Sequence, residues 1–127
     1  MKRLLFFLTL IIMSISAVNA KEMALLKLFD GRYNDNQQIE WSKIKRDGKT
    51  SYFMNFKRLP NLEKEIMELL KKDMQGFEFD TEVITKNERY YKAIIERNGE
   101  KIEIGYSIHM RNGAVELFIK GPNKAFQ

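Results

Sequence analysis

The chain has 127 residues, of which 22 are basic and 17 acidic, and it contains no cysteine. The absence of cysteine excludes a disulfide framework, a thiolate metal site and a lipid anchored through a cysteine sulfur. Setting aside Lys2 and Arg3 leaves 20 basic against 17 acidic residues, a net charge near +3. That balance does not indicate nucleic-acid binding, although it leaves open a weak attraction to anionic lipid or polysaccharide.

The first 20 residues have the three-part plan of a secretory signal peptide. A basic start, Met1-Lys2-Arg3, precedes an apolar run at residues 4–18, and Val18-Asn19-Ala20 offers a cleavage site. The run is shorter than the roughly 20 residues that a membrane span needs. We therefore predict cleavage after Ala20, leaving residues 21–127 as one soluble, periplasmic or secreted domain. An uncleaved inner-membrane anchor is the alternative.

Next come a short predicted helix and a predicted β-hairpin. The helix covers residues 21–29, and a polar loop at residues 33–38 follows it. Asp47-Gly48 is a strong two-residue turn signal for the hairpin at residues 38–59. Pairing outward from that turn matches apolar residues with each other, which supports the register. The matched pairs are Trp41 with Met54 and Ile39 with Phe56.

The clearest helix is predicted at residues 61–75. Leu62, Ile66, Leu69 and Leu70 recur at helical spacing and form one apolar stripe. Asn61 is the predicted N-cap and Gly76 the residue that ends the helix.

Four strands are predicted after this helix. The first alternates over residues 77–83, with Phe77, Phe79 and Val83 pointing inward. Asn98-Gly99 and Asn112-Gly113 are the later turn signals, and they give a meander with one apolar side. The second of them predicts three pairs: Met110 with Val115, Ile108 with Leu117, and Tyr106 with Ile119. The tail after Gly121-Pro122 is predicted to fray.

The order of elements is short helix, two strands, helix and four strands. This order favours a two-layer α+β fold, in which an antiparallel sheet of about six strands packs one face against the main helix. The order of the strands within the sheet is left open.

The other face of the predicted sheet is less polar than a solvated face should be. It carries Phe53, Ile84, Tyr90, Ile94 and Phe118, with Ser42 and Ser107 between them. Tyr90, Ser107 and Phe118 are predicted to form one cross-strand row. The N-terminal helix or the loop at residues 33–38 could cover this patch. Otherwise it is an interface for a protein partner or a second copy of the chain, or a site for a small apolar ligand. The candidate binding residues are Phe53, Tyr90, Ile94, Ser107 and Phe118.

His109, the only histidine, is predicted to lie opposite Glu116 on that same face. Such a pair could serve as half of an acid–base arrangement, but a catalytic site also needs a positioned nucleophile. Ser107 points the same way from the same strand, about 7 Å along it. A surface cross-strand pair is therefore the favoured interpretation, and no catalytic residue, metal site or cofactor is predicted.

The layout also resembles that of small secreted proteins of unknown function in Bacteroidota. The resemblance is carried by the basic start with its apolar run, by Leu28-Phe29-Asp30-Gly31-Arg32-Tyr33, and by the hairpin, helix and meander. It covers most of the chain, and residues 28–33 are its most specific part. It implies a location in the envelope of a Gram-negative bacterium and transfers no residue role.

These features together predict a non-catalytic, exported module that binds a partner through the aromatic face of its sheet. Two alternatives are a small hydrolase or lyase that uses His109 and Glu116, and a structural subunit of an envelope assembly.

Overall fold

A computed structural model describes residues 22–127. The predicted signal peptide at residues 1–20 and its cleavage after Ala20 lie outside the described residues. The described part is an α+β fold with one antiparallel sheet of six strands and one main helix, which confirms the predicted fold class. In chain order the elements are a 3₁₀ helix (Ala24–Phe29), β1 (Ile39–Arg46), β2 (Lys49–Lys57), α1 (Pro60–Met74), β3 (Thr81–Ile84), β4 (Glu88–Arg97), β5 (Glu100–His109), β6 (Ala114–Pro122) and a second 3₁₀ helix (Asn123–Phe126).

The strands lie in the order β1-β2-β6-β5-β4-β3, so the last strand joins the N-terminal hairpin to the meander. β2 and β6 are central strands, and each places apolar residues on both faces. β1 is an edge strand that carries Lys43, Lys45 and Arg46, charges that discourage pairing with another chain. We call the face covered by α1 the inner face and the opposite one the outer face.

Two of the three predicted turns have the expected geometry. Asp47 and Gly48 have φ angles of 53° and 77°, and Asn98 and Gly99 have φ angles of 54° and 75°. Positive φ at both central residues is what a type I′ hairpin turn requires. The registers of β1 with β2 and of β4 with β5 are therefore as predicted, including the pairing of Ile39 with Phe56.

The predicted register of β5 with β6 is wrong by two residues. Ile108 pairs with Val115 and Tyr106 with Leu117, rather than with Leu117 and Ile119. The connection is a four-residue loop at residues 110–113, closed by a 2.8 Å hydrogen bond from the Gly113 N–H to the His109 carbonyl. An even shift keeps every side chain on its predicted face, because side chains alternate with a period of two.

The strand before β4 differs more. β3 begins only at Thr81, and the preceding Phe77 is 78% exposed. Thr81 is the partner of Lys92, and the Asp80 N–H also donates to the Lys92 carbonyl. Two residues facing one is the pattern of a β-bulge, and it moves the following side chains to the opposite face.

Phe79 accordingly packs inward, with its ring centroid 5.0 Å from that of Tyr91. Val83 instead pairs with Tyr90 on the outer face, and Ile84 pairs with Arg89 on the inner side. The predicted positions of Val83 and Ile84 were therefore interchanged.

α1 begins at Pro60, so Leu59 is the N-cap and the predicted Asn61 cap is wrong. Proline is well suited to the first helical position because it has no N–H to leave unpaired. At the other end, Gln75 and Gly76 both have positive φ, at 54° and 87°. The helix buries four apolar side chains against the sheet: Leu62, Ile66, Leu70 and Met74.

The N-terminal 3₁₀ helix packs on the inner side of the sheet. Leu25 and Leu28 are 0% and 1% exposed, and the ring of Phe29 lies 5.1 Å from that of Tyr52. The alternative in which this segment covers the outer face is therefore wrong. The loop at residues 33–38 reaches only one corner of that face, where Gln37 and Gln38 border a shallow cavity.

The C-terminal tail is held rather than frayed. Ala125 is fully buried, and the Asn98 side-chain amide donates to the carbonyls of Lys124 and Gln127. All the buried apolar residues of the described part come from Met23 to Ala125, so this part contains its own core.

Candidate functional site

Two aromatic side chains lie side by side at the centre of the outer face. Phe53 is the cross-strand partner of Phe118, whose other partner is Gly105. The Phe118 ring lies over this glycine, since an ideal Cβ at position 105 would be 2.1 Å from Phe118 Cε1. An aromatic ring that covers a glycine on the next strand stabilises a sheet. Phe118 thus has a packing role, whereas Phe53 is 37% exposed.

Tyr90 and Ser107 form a second pair on this face. They are direct cross-strand partners, as predicted, but the next residue in their row is Glu116 and not Phe118. The row of Tyr90, Ser107 and Phe118 is therefore wrong, because the β5–β6 register is shifted. Ser107 is only 8% exposed and offers little surface to a partner.

Ile94 is 44% exposed and is separated from the aromatic pair by charged side chains. Glu103 lies between Lys92 and Lys120, with N–O distances of 3.5 and 3.6 Å. Partly exposed ion pairs of this kind contribute at most about 1 kcal/mol each to stability. The five predicted binding residues therefore share one face but do not form one continuous apolar patch.

His109 and Glu116 lie on the open surface of the sheet. His109 Nε2 and Glu116 Oε2 are 3.8 Å apart, and the two side chains are 39% and 46% exposed. They sit diagonally, because Glu116 is paired with Ser107. No hydrogen bond joins Ser107 to His109 in the described part of the chain. This geometry provides neither an activated nucleophile nor an enclosed site, so it offers no support for the hydrolase or lyase alternative.

A shallow groove lies at one end of the outer face, where β2, β4, β5 and β6 come together. Its volume is about 370 Å³. Lysines border it on three strands, and Ile94 and Pro122 supply apolar surface. We call it the basic groove, and it is lined by Lys49, Ser51, Ile94, Lys101, Glu103, Lys120, Gly121 and Pro122.

Sequence reasoning missed the basic groove because its lysines are far apart along the chain. Lys49 begins β2 and Lys120 lies near the end of β6, and they are brought together by the pairing of these two strands. The hairpin turns predict neighbours within each hairpin, but nothing local predicts that β6 inserts beside β2. Only a strand order could have revealed the groove.

Asp73 near the end of α1 has a structural role. Its two carboxylate oxygens accept the N–H groups of Ala24 and Leu25, at 2.7 and 2.9 Å. Burial raises the pKa of Asp73, and these hydrogen bonds act in the opposite direction. The carboxylate thereby fixes the start of the N-terminal 3₁₀ helix against α1.

Glu63 marks the other end of α1. It is 8% exposed, and its Oε1 accepts a 2.8 Å hydrogen bond from Arg58 Nε. Burial, with the nearby Glu63 charge, raises the pKa of Tyr106, whose ring lies beneath this end of the helix. The cluster attaches α1 to β5, because the Tyr106 hydroxyl also lies 3.5 Å from the Glu63 carbonyl.

Among residues 22–127, no cluster of histidine and carboxylate side chains could hold a metal ion. The same residues include no helix long and apolar enough to cross a membrane. Comparison of the chain with protein-family models, with curated proteins and with solved structures gave no match. Function must therefore be argued from the faces of the sheet.

Proposed function

We propose that this protein is a non-catalytic binding module of the bacterial envelope, which contacts a protein partner through the outer face of its sheet. The proposal rests on the difference, within residues 22–127, between the inner face of the sheet, which is covered by helices, and the outer face, which is not. α1 and both 3₁₀ helices pack on the inner side, and no described element lies over the outer face. Phe53 and Ile94 remain 37% and 44% exposed there.

The signal-peptide pattern of residues 1–20 supports the proposed location in the envelope. A face with exposed aromatic and aliphatic side chains among polar ones has the composition of a non-obligate protein interface. Phe53 is the best candidate for an energetic centre, because its ring is large, partly exposed and supported from the side by Phe118.

The test is site-specific photo-crosslinking in the producing cells. A photoreactive residue in place of Phe53 should give one defined adduct, and the same residue in place of Lys64 on the exposed side of α1 should give none. Mass spectrometry of the adduct then separates a protein partner from a second copy of the chain.

Phe53→Ser should abolish crosslinking of that partner to a photoreactive residue placed elsewhere on the outer face. Equal crosslinking from positions 53 and 64, or no crosslinking from either, would contradict the proposal.

A further inference from the structure

The basic groove carries more positive charge than its own carboxylates neutralise. Its lining includes three lysines and one acidic residue, Glu103. The Glu103 carboxylate pairs both with Lys120, in the groove, and with Lys92, outside it. Within the described part of the chain, neither Lys49 nor Lys101 is in an ion pair, although Glu96 is the cross-strand partner of Lys101. Two ammonium groups thus face the groove without an ion-pair partner.

A fourth cation extends this charge toward the tip of the first hairpin. Arg46 is the cross-strand partner of Lys49, and both side chains are exposed. Like charges placed directly opposite each other destabilise a strand pair. The sequence nevertheless places two cations at these adjoining positions, next to the groove.

Apolar side chains flank the same charges. One row across the sheet is formed by Ile44, Ser51, Lys120, Glu103 and Ile94, with an isoleucine at each end. Ile44 is 56% exposed and Ile94 is 44% exposed. In this row Lys120 lies between Ser51 and Glu103, and an exposed isoleucine lies at each end.

A surface of this composition matches the chemistry of a bilayer with acidic head groups. Lysine ammonium groups reach the phosphates, while apolar side chains beside them enter the boundary between head groups and acyl chains. A soluble acidic polymer could pair with the lysines, but it would leave the isoleucines in water. The exposed isoleucines therefore favour a lipid surface over a polyanion.

We infer that the basic groove docks the protein on an anionic phospholipid surface. The inference goes beyond the proposed function and does not depend on it, because it rests on the lysines of the groove and not on Phe53, although Ile94 belongs to both surfaces. Each lysine near such a surface contributes about 1 kcal/mol, and the attraction fades within a Debye length. Docking is thus reversible and sensitive to salt.

The test is cosedimentation of residues 21–127, which include the whole described core, with lipid vesicles. Omitting the apolar run at residues 4–18 prevents that segment from binding the lipid. The vesicles contain either phosphatidylcholine alone or phosphatidylcholine with one third phosphatidylglycerol. We expect binding to the second kind only, and its loss in high salt.

The variant Lys49→Glu with Lys101→Glu should weaken this binding by roughly 30-fold or more. The matched control, Lys64→Glu with Lys86→Glu, has the same net charge but alters exposed lysines away from the groove. It should bind nearly as well as the wild type. Ile94→Ser should weaken binding by a smaller factor. Cooperative thermal unfolding shows that each variant is folded.

Three results would overturn the inference. Equal losses in the two charge-reversal pairs would mean that net charge alone causes the attraction. Equal binding to the two kinds of vesicle would mean that acidic head groups are not recognised. Binding to soluble polyglutamate without binding to vesicles would assign the groove to an acidic macromolecule.

Discussion

Side chains alternate between the two faces of the sheet, and the two faces differ in how far these side chains are buried. On β6, Leu117 and Ile119 point inward and are fully buried, while Phe118 between them points outward and is only half-buried. The inner face gains its stability from covering by α1 and the two 3₁₀ helices. The outer face has no such cover in the described residues, so its apolar side chains are available for contacts with other molecules.

The largest expected effect lies on the inner face. Leu117→Ala should lower the free energy of unfolding by about 3 kcal/mol, because it removes buried methyl groups and leaves a cavity. Phe53→Ser on the outer face should cost less than about 1 kcal/mol, since that ring is partly exposed and loses mainly strand propensity. Urea denaturation of both variants measures the two differences.

Leu117→Ala and Phe53→Ser together test whether the inner and outer faces differ in their contribution to stability. If Phe53→Ser destabilises the protein as much as Leu117→Ala does, the outer face is a second core in solution. The binding proposal would then fall. Leu117→Ile serves as a control for shape, because it keeps the volume and should cost less than about 1.5 kcal/mol.

Local signals in the sequence were sufficient for much of the inner face. The Asp47-Gly48 and Asn98-Gly99 turns fixed two registers, because two adjoining residues that accept positive φ permit only a short list of hairpin turns. The spacing of Leu62, Ile66 and Leu70 placed the buried side of α1 in the same way. Periodicity and turn chemistry are local properties, and they hold where tertiary contacts agree with them.

The remaining features depended on contacts that no local pattern contains. Asn112-Gly113 looks like the other turns, but only Gly113 has positive φ, and the loop is longer. The change of face before β3 arises where Asp80 and Thr81 both meet Lys92. The five predicted binding residues do share a face, whereas Ile84, also predicted there, lies on the inner side. The basic groove could not be predicted, because it required the pairing of β2 with β6.

The next prediction tests whether the centre of the outer face is partly structural. Gly105→Ala places a methyl group where the Phe118 ring now lies, so the ring must move or the strands must separate. Overpacking of this kind costs roughly 1–3 kcal/mol. Thermal unfolding should therefore show a clear decrease in the melting temperature.

A double-mutant cycle isolates the contact. In combination with Phe118→Ala, the Gly105→Ala change should become nearly neutral, because the atoms that it would meet are gone. If Gly105→Ala costs the same in both backgrounds, the destabilisation comes from the backbone, and Phe118 is as free to bind a partner as Phe53.

The smallest expected effect concerns the protonation of Asp73, which joins α1 to the N-terminal 3₁₀ helix. Burial raises the pKa of Asp73 above its unfolded-state value of about 3.9, against the opposing hydrogen bonds from the Ala24 and Leu25 N–H groups. The protonated carboxyl is therefore the form that folding favours. Its contribution to stability is complete below the unfolded-state pKa and is lost as pH rises through the folded-state pKa.

Asp73→Asn provides the reference, because an amide keeps one acceptor and does not titrate in this range. The free energy of unfolding of the wild type minus that of the variant should fall as the pH rises from the unfolded-state pKa through the raised folded-state pKa. A difference that rises over the same range would mean that the two N–H donors outweigh burial. The covered side of the sheet would then stabilise a charged carboxylate at Asp73. In this respect it would resemble the outer face, where Glu103 is held in ion pairs.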